Sequence, residues 1–165
     1  METESAPFTW VEISNPEGYE IPPDSAFCHW VGAVLQHHGK GHWQTHTDET
    51  PISIKIVSPD ESRALNHTYR GKNAPTNILS FPAEFPPDVE CPLLGDLAIC
   101  ADVVAREAYE QNKPLQHHWA HLVIHGVLHL LGYDHIETTQ ARRMESLEIA
   151  ILADMGIKDP YKPSD

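Results

Sequence analysis

The stretch HLVIHGVLHLLGYDH, from His121 to His135, constrains the fold of this chain more than any other segment. It contains four histidines, and almost all of its other residues are apolar. A helix that is apolar on nearly every face is a buried helix. Since an unpaired buried polar group costs about 2 kcal/mol or more, the imidazoles of such a helix need partners. The sequence therefore predicts a buried helix whose histidines share a common partner.

The spacing of three of these histidines indicates a metal ion as that partner. His125 and His129 are four residues apart, so their imidazoles lie on the same face of a helix. Gly132 can adopt a positive φ and end the helix, which allows the chain to return His135 to the same point. Three neutral imidazoles suit Zn²⁺ or another divalent transition metal, and they leave one coordination position open. A histidine stripe that only contacts water is the competing interpretation, and the apolar neighbours argue against it.

Other polar residues of this region have less specific patterns. His121 lies one turn before His125 and could be an alternative ligand, a group that supports a ligand, or a substrate contact. Asp134 could orient a metal-bound histidine, or it could stabilise the turn with its own side chain. His117 and His118 have no partner at ligand spacing, so we expect both at the surface.

The predicted metal site indicates hydrolysis as the reaction class. A metal with an open position can lower the pKa of water to about 7 and polarise a carbonyl or phosphoryl oxygen. The spacing HxxxHxxGxxH is that of the metzincin proteases, whose glutamate serves as the general base. Gly126 stands at the position of that glutamate here, and glycine cannot relay a proton. This replacement argues against a protease, and a metzincin-like metalloprotease is kept as an alternative.

The rest of the chain predicts an α+β fold, with a small mixed sheet of about four strands and helices packed on it. The expected strands are Phe8–Ser14, Pro51–Ser58, 77–85 and 93–100. The expected helices are Asp24–Gly39, Pro59 to about Tyr69, Ala101 to just before Pro114, Pro114 through the histidines, and 137–156. Ser58 is the expected N-cap of the second helix, with Glu61 completing a capping box. With no repeat and no long linker, residues 1–165 are interpreted as a single domain.

The charge of the chain bears on its partners and its location. The net charge is −13, which argues against long-range attraction of nucleic acid. Residues 51–80 are the exception, with four basic residues against two acidic ones. The first ten residues lack the basic and apolar regions of a signal peptide, and no apolar run is long enough to cross a membrane. We therefore expect a cytoplasmic protein without a membrane partner.

Three blocks of the sequence resemble one known family. HLVIHGVLHLLGYDH resembles the signature of the YbeY family, bacterial metal-dependent endoribonucleases that act in ribosomal RNA maturation. YRGKNAPTNILSFP, at 69–82, and LLGDLAIC, at 93–100, resemble the other two blocks of the family in the expected order. The resemblance spans about residues 50–155. Asn73 and Asn77 depart from the family pattern, in which aspartate is usual at both positions.

The resemblance implies a function and a set of site residues. It implies a zinc-like ion on His125, His129 and His135, and cleavage of single-stranded RNA. The implied role is maturation of the 3′ end of 16S ribosomal RNA and ribosome quality control, with the ribosomal particle or a ribosomal protein as partner. A ribosome-assembly factor with a structural metal is the non-enzymatic alternative.

The resemblance also indicates which residues act in the reaction. Catalysis is assigned to Arg70 and, through the metal, to His125. An arginine can hold a phosphate through two hydrogen bonds, although Arg70 could equally complement the dipole of a helix C-terminus. Ser80 and Asp96 lie on predicted strands and could approach the site.

Overall fold

The computed structural model describes residues 11–39, 52–83, 94–133 and 137–161. It confirms the predicted α+β class. In chain order the elements are β1 Val11–Ser14, α1 Asp24–Gly39, β2 Ile52–Val57, α2 Pro59–Arg70, β3 Ile78–Pro82, β4 Gly95–Cys100, α3 Ala101–Glu110, α4 Leu115–Leu130 and α5 Thr138–Asp154. Residues 8–10 of the first predicted strand lie outside the described residues. None of the helices within these ranges is long and apolar enough to cross a membrane.

The four described strands form one mixed sheet in the order β1-β2-β4-β3. β1, β2 and β4 are parallel, and β3 pairs with β4 in the antiparallel direction. Ile54 lies opposite Leu97, which in turn lies opposite Ser80 on β3. Among the described strands, β3 therefore forms an edge of the sheet. Its side chains can contact a helix that packs along this edge.

The strands alternate between two buried faces. Ile54 and Leu97 belong to the main core, which also contains apolar side chains of α1, α4 and α5. Leu79 and Ala98 point to the opposite face and pack against Leu65 of α2. Because successive side chains of a strand point to opposite faces, α2 and the helix that carries the histidines pack on opposite faces of the sheet. The main core contains most of the fully buried side chains, so the stability of the fold depends chiefly on this helix-bearing face.

Gly126 allows α4 to approach the sheet very closely. A Cβ atom at this position would lie 2.7 Å from Cδ1 of Ile78 and 2.9 Å from Cδ2 of Leu97. Ser80 follows on the same face of β3, and its hydroxyl donates to the Gly126 carbonyl at 3.4 Å. Position 126 therefore faces the sheet, and the space there is filled by Ile78 and Leu97. This packing gives a structural reason for glycine where the protease spacing has glutamate.

The start of α2 is capped largely as the sequence predicts. The Ser58 hydroxyl accepts a hydrogen bond from the Glu61 backbone N–H at 3.1 Å, which confirms the N-cap. The second half of the predicted capping box is wrong. The Glu61 carboxylate accepts from Lys55 Nζ at 2.8 Å, because β2 brings this ammonium group within reach. Gly71, with a φ of 73°, ends the helix in the left-handed conformation.

A polar network joins the residue before β3 to α3 and α4 through the carboxylate of Glu107. One oxygen, Oε1, accepts from Asn77 Nδ2 at 3.0 Å and from His118 Nε2 at 2.8 Å. Burial by itself would raise the pKa of Glu107, but the hydrogen bonds from His118 and Asn77 outweigh it and lower that pKa. His118 is only 3% exposed, so its expected place at the surface is wrong. Its partner comes from α3, which the residue spacing within α4 does not reveal.

Asn77→Asp should destabilise the protein, because it places a second carboxylate against Glu107. We expect the free energy of unfolding at pH 7, measured by urea denaturation, to fall by about 1–3 kcal/mol. Repulsion raises the pKa of one member of such a pair, so this destabilisation should shrink as the pH falls and that carboxyl is protonated. Asn73→Asp introduces the same charge at an exposed position and is the matched control. Equal losses in the two variants would contradict the assignment.

Candidate metal centre

Four histidines form a continuous row along α4. His118, His121, His125 and His129 follow one another at spacings of three and four residues, which keeps them on one face of the helix. The ring centroids of neighbouring pairs are 6.2, 6.1 and 4.6 Å apart. The shortest step joins His125 and His129, whose Nε2 atoms lie 3.1 Å apart. These two imidazoles therefore present nitrogen atoms to a common point.

The carboxylate of Glu148, on α5, connects the middle of this row. Its Oε2 accepts from His125 Nδ1 at 2.9 Å, and its Oε1 accepts from His121 Nε2 at 2.9 Å. The Tyr161 hydroxyl donates to Oε1 at 2.7 Å. Glu148 is 0% exposed, and burial alone would raise its pKa. The hydrogen bonds from His121 and His125, with a smaller contribution from Tyr161, instead lower that pKa from 4.5 to about 2.

His121 and Tyr161 contact Glu148 as neutral hydrogen-bond donors. Burial lowers the pKa of His121, and the hydrogen bond to Glu148 opposes this shift without cancelling it. Burial and the hydrogen bond to Glu148 raise the pKa of Tyr161, so its hydroxyl keeps its proton. Glu148 thus carries the only full charge among these three side chains near neutral pH. A buried carboxylate is stable when it accepts hydrogen bonds from several donors, because these bonds replace the ones it would form with water.

The packing of α5 explains why a carboxylate lies here. Met144, Ile151 and Leu152 are fully buried and form the apolar stripe of this helix. Glu148 lies in the same stripe, four residues after Met144 and three before Ile151. The helical period therefore directs the Glu148 side chain into the core, opposite the histidine row of α4.

Two sets of atoms in this region could receive a metal ion. His121, His125 and Glu148 each offer one ligand atom, and these atoms lie within 4.8 Å of one another. The other set contains the facing Nε2 atoms of His125 and His129, 3.1 Å apart. Two nitrogens at about 2.0–2.1 Å from a tetrahedral Zn²⁺ are separated by roughly 3.3 Å. The donor types and separations in both sets fit a divalent transition metal.

The comparison with known protein families shows to which family the chain belongs. The family model described as Endoribonuclease YbeY matches residues 13–156. The chain belongs to the YbeY family. A curated relative, the endoribonuclease YbeY of Alkalilimnicola ehrlichii, is 54% identical over 144 residues, which cover 86% of this chain and 83% of that protein. Membership confirms the prediction of an enzyme of the nuclease class.

A solved structure shares the fold of this YbeY family member. The solution structure of TM1509 from Thermotoga maritima superposes with a TM-score of 0.54 at 24% sequence identity. The match covers 92% of this chain and 99% of that chain. It supports the α+β architecture independently of the sequence blocks.

The structure brings some of the predicted site residues of this YbeY family member together. His125 and His129 face each other, and His121 lies beside Glu148. Ser80 lies beneath the same turn of α4, through its contact with the Gly126 carbonyl. His135 and Asp134 lie outside the described residues, so their predicted roles stay predictions.

Arg70 and Asp96 lie on the other face of the sheet. Asp96 pairs with Phe81 in the antiparallel register and lines an open groove of about 650 Å³ together with Lys55 and Glu61. The structure therefore does not bring Asp96 to the histidine row. Arg70 is exposed at the C-terminal end of α2, next to Tyr69, whose ring packs on Phe81 at 5.0 Å. It thus lies near the end of β3 rather than among the histidines.

Glu148 and Tyr161 are site residues that the sequence analysis did not identify. The last predicted helix, 137–156, contains an apolar stripe, and a glutamate occupies one of its positions. An ionisable residue at a core position of a helix requires a partner, so this position was the available signal. Tyr161 lies after the end of α5, so no helical spacing in the sequence relates it to the histidines of α4.

Tyr161→Phe should destabilise this YbeY family member by about 1–2 kcal/mol at pH 7, because Glu148 loses a hydrogen bond to a charged group. The lowered pKa of Glu148 contributes stability that is complete above pH 4.5 and is lost as the pH falls toward about 2. The difference between wild type and variant should therefore shrink below pH 4.5 in urea denaturation. Tyr109→Phe is the control, since Tyr109 is 85% exposed. A variant as stable as wild type at pH 7 would refute this role.

Proposed function

We propose that the protein is a metal-dependent endoribonuclease specific for single-stranded RNA. Its inferred role is maturation of the 3′ end of 16S ribosomal RNA and ribosome quality control in the cytoplasm, with residues 1–165 acting as one domain. The observation that carries the proposal is the facing pair of Nε2 atoms of His125 and His129, in a member of an endoribonuclease family. A cation held by these nitrogens would supply positive charge, which stabilises the negative charge that builds on the phosphate oxygens in the transition state.

We assign the metal to His125, His129 and His135, with Zn²⁺ as the proposed ion. Glu148 already uses both oxygens as hydrogen-bond acceptors, so a cation bound by His121, His125 and Glu148 would have to displace these bonds. Glu148 is also fully buried, where an RNA phosphate could not follow. The His125 side chain keeps about a fifth of its surface exposed, and the row opens toward His129. A Zn²⁺ ion held there would supply Lewis acidity and a lowered pKa for water.

The residues near the proposed ion limit which groups can transfer a proton or contact the RNA. Gly126 packs against the sheet and offers no general base, so the proton acceptor lies elsewhere. Ser80 of β3 lies beneath the same turn and is a proposed substrate contact. Arg70 is the proposed phosphate ligand, since a guanidinium can neutralise charge that develops on phosphorus. Because the net charge is −13, RNA recognition is expected to depend on local contacts and on a ribosomal partner.

His129→Ala should abolish RNA cleavage, because it removes one of the two facing nitrogens. The substrate is a labelled single strand with the sequence of a 16S 3′ end, incubated with protein free of other nucleases and resolved on a denaturing gel. A chelator should inhibit the wild type, and added Zn²⁺ should restore it. His29→Ala, an exposed histidine on α1, is the control and should cleave at the wild-type rate. Equal cleavage by wild type and His129→Ala would defeat the proposal, as would preference for a duplex or for DNA.

Arg70→Ala should lower kcat/KM for the same RNA by about 100-fold, as expected when a charge-stabilising donor is lost. Arg70→Lys should recover only part of this loss, because an ammonium cannot form the paired hydrogen bonds of a guanidinium. Arg63→Ala is the matched control on the same helix, since Arg63 is exposed and contacts Asp60 at 3.8 Å. If Arg70→Ala and Arg63→Ala have the same kcat/KM, Arg70 has no special role in the reaction.

A further inference from the structure

We propose that Glu148 is a positioning residue, which fixes the tautomer of His125 and so directs its Nε2 lone pair toward His129. This inference rests on the metal centre proposed above and assigns a role to a residue of α5 within it. Glu148 is inferred to touch neither the metal nor the RNA. It acts only through the imidazole of His125, to which its Oε2 is hydrogen-bonded at 2.9 Å.

The hydrogen bond to Glu148 determines which ring nitrogen of His125 carries the hydrogen atom. A carboxylate only accepts hydrogen bonds, so the nitrogen that contacts Glu148 Oε2 has to carry the hydrogen. That nitrogen is Nδ1. A neutral imidazole has one N–H group, and its other nitrogen keeps a lone pair. Nε2 of His125 is therefore an acceptor, and it lies 3.1 Å from Nε2 of His129.

The His125 ring needs such a partner to hold it in one orientation. Rotation about the bond to an imidazole ring is broad and roughly two-fold, so the helix backbone does not select one ring orientation. With the hydrogen on Nε2 instead, His125 would present an N–H group to the position where the cation binds. A buried acceptor on the Nδ1 side excludes that arrangement. Carboxylates commonly orient metal-binding histidines in this way.

Glu148 is itself held in place by neighbouring side chains. Its Oε1 accepts from His121 Nε2 at 2.9 Å and from the Tyr161 hydroxyl at 2.7 Å. The side chain is fully buried and lies between the packed residues Met144 and Ile151. The carboxylate thus reaches His125 from a fixed position, which a flexible surface glutamate could not provide. His121 and Tyr161 act one step further out, as donors that hold Glu148.

The first experiment measures the tautomer directly in the metal-free protein. Long-range ¹H–¹⁵N correlation spectra of protein labelled in its histidine rings distinguish the protonated from the unprotonated ring nitrogen, and His125→Asn assigns the signals. We expect wild-type His125 to carry its hydrogen on Nδ1, and Glu148→Gln to show a mixture of tautomers. Glu145→Gln, which makes the same charge change one turn earlier on α5, should match wild type. A wild-type His125 with its hydrogen on Nε2 would overturn the inference, even if Glu148→Gln failed to fold.

The second experiment measures the affinity for Co²⁺, whose visible absorption reports the ligand set. We expect Glu148→Gln to bind Co²⁺ about 10–100-fold more weakly than wild type, with the same spectrum at saturation. Glu145→Gln should bind as wild type does. Equal affinity in Glu148→Gln and wild type would overturn the positioning role, and a changed saturated spectrum would make Glu148 a ligand and overturn it too. Absence of Co²⁺ binding by wild type would overturn the proposed metal centre, and this inference with it.

Discussion

Hydrogen bonds from the imidazoles of α4 to two carboxylates make this helix compatible with the core. α4 lies against the sheet, where unpaired polar rings would be costly. Glu107 accepts from His118, and Glu148 accepts from His121 and His125. Each carboxylate comes from a different neighbouring helix, so the position of α4 is tied to both α3 and α5. The polar site and the apolar core are therefore built by the same helix contacts.

The closeness of α4 to the sheet sets where the site can lie. Gly126 permits contact with Ile78 and Leu97, and this contact places the next turn of α4 along the edge strand β3. α4 runs in the same direction as β3, since His118 is linked to Asn77 before the strand and Gly126 contacts Ser80 within it. His129 thus lies toward the end of the strand. A larger residue at 126 would lift the histidines away from β3.

The sequence predicted local features well, and contacts between distant segments poorly. The strand predicted at Pro51–Ser58 and the helix cap at Ser58 depend on residues within a few positions of each other, and the structure confirms both. The pairing of His118 with Glu107 and of His125 with Glu148 joins helices whose packing no single periodicity encodes. Asp96 was placed on a strand correctly, but the strand register turns its side chain away from α4. Predicting these contacts requires knowing against which face of the sheet each helix packs.

The positions of the basic residues limit the surface on which this acidic member of the family can bind RNA. Four basic residues lie in 51–80, but Lys55 bonds Glu61 at 2.8 Å and Arg63 lies 3.8 Å from Asp60. Within the described ranges the structure gives neither Arg70 nor Lys72 an ion pair. Both lie at the end of α2, near the end of β3 toward which His129 also lies, on the opposite face of the sheet. The proposed path of an RNA strand therefore crosses this edge of the sheet, from the Arg70 guanidinium to the pair of His125 and His129.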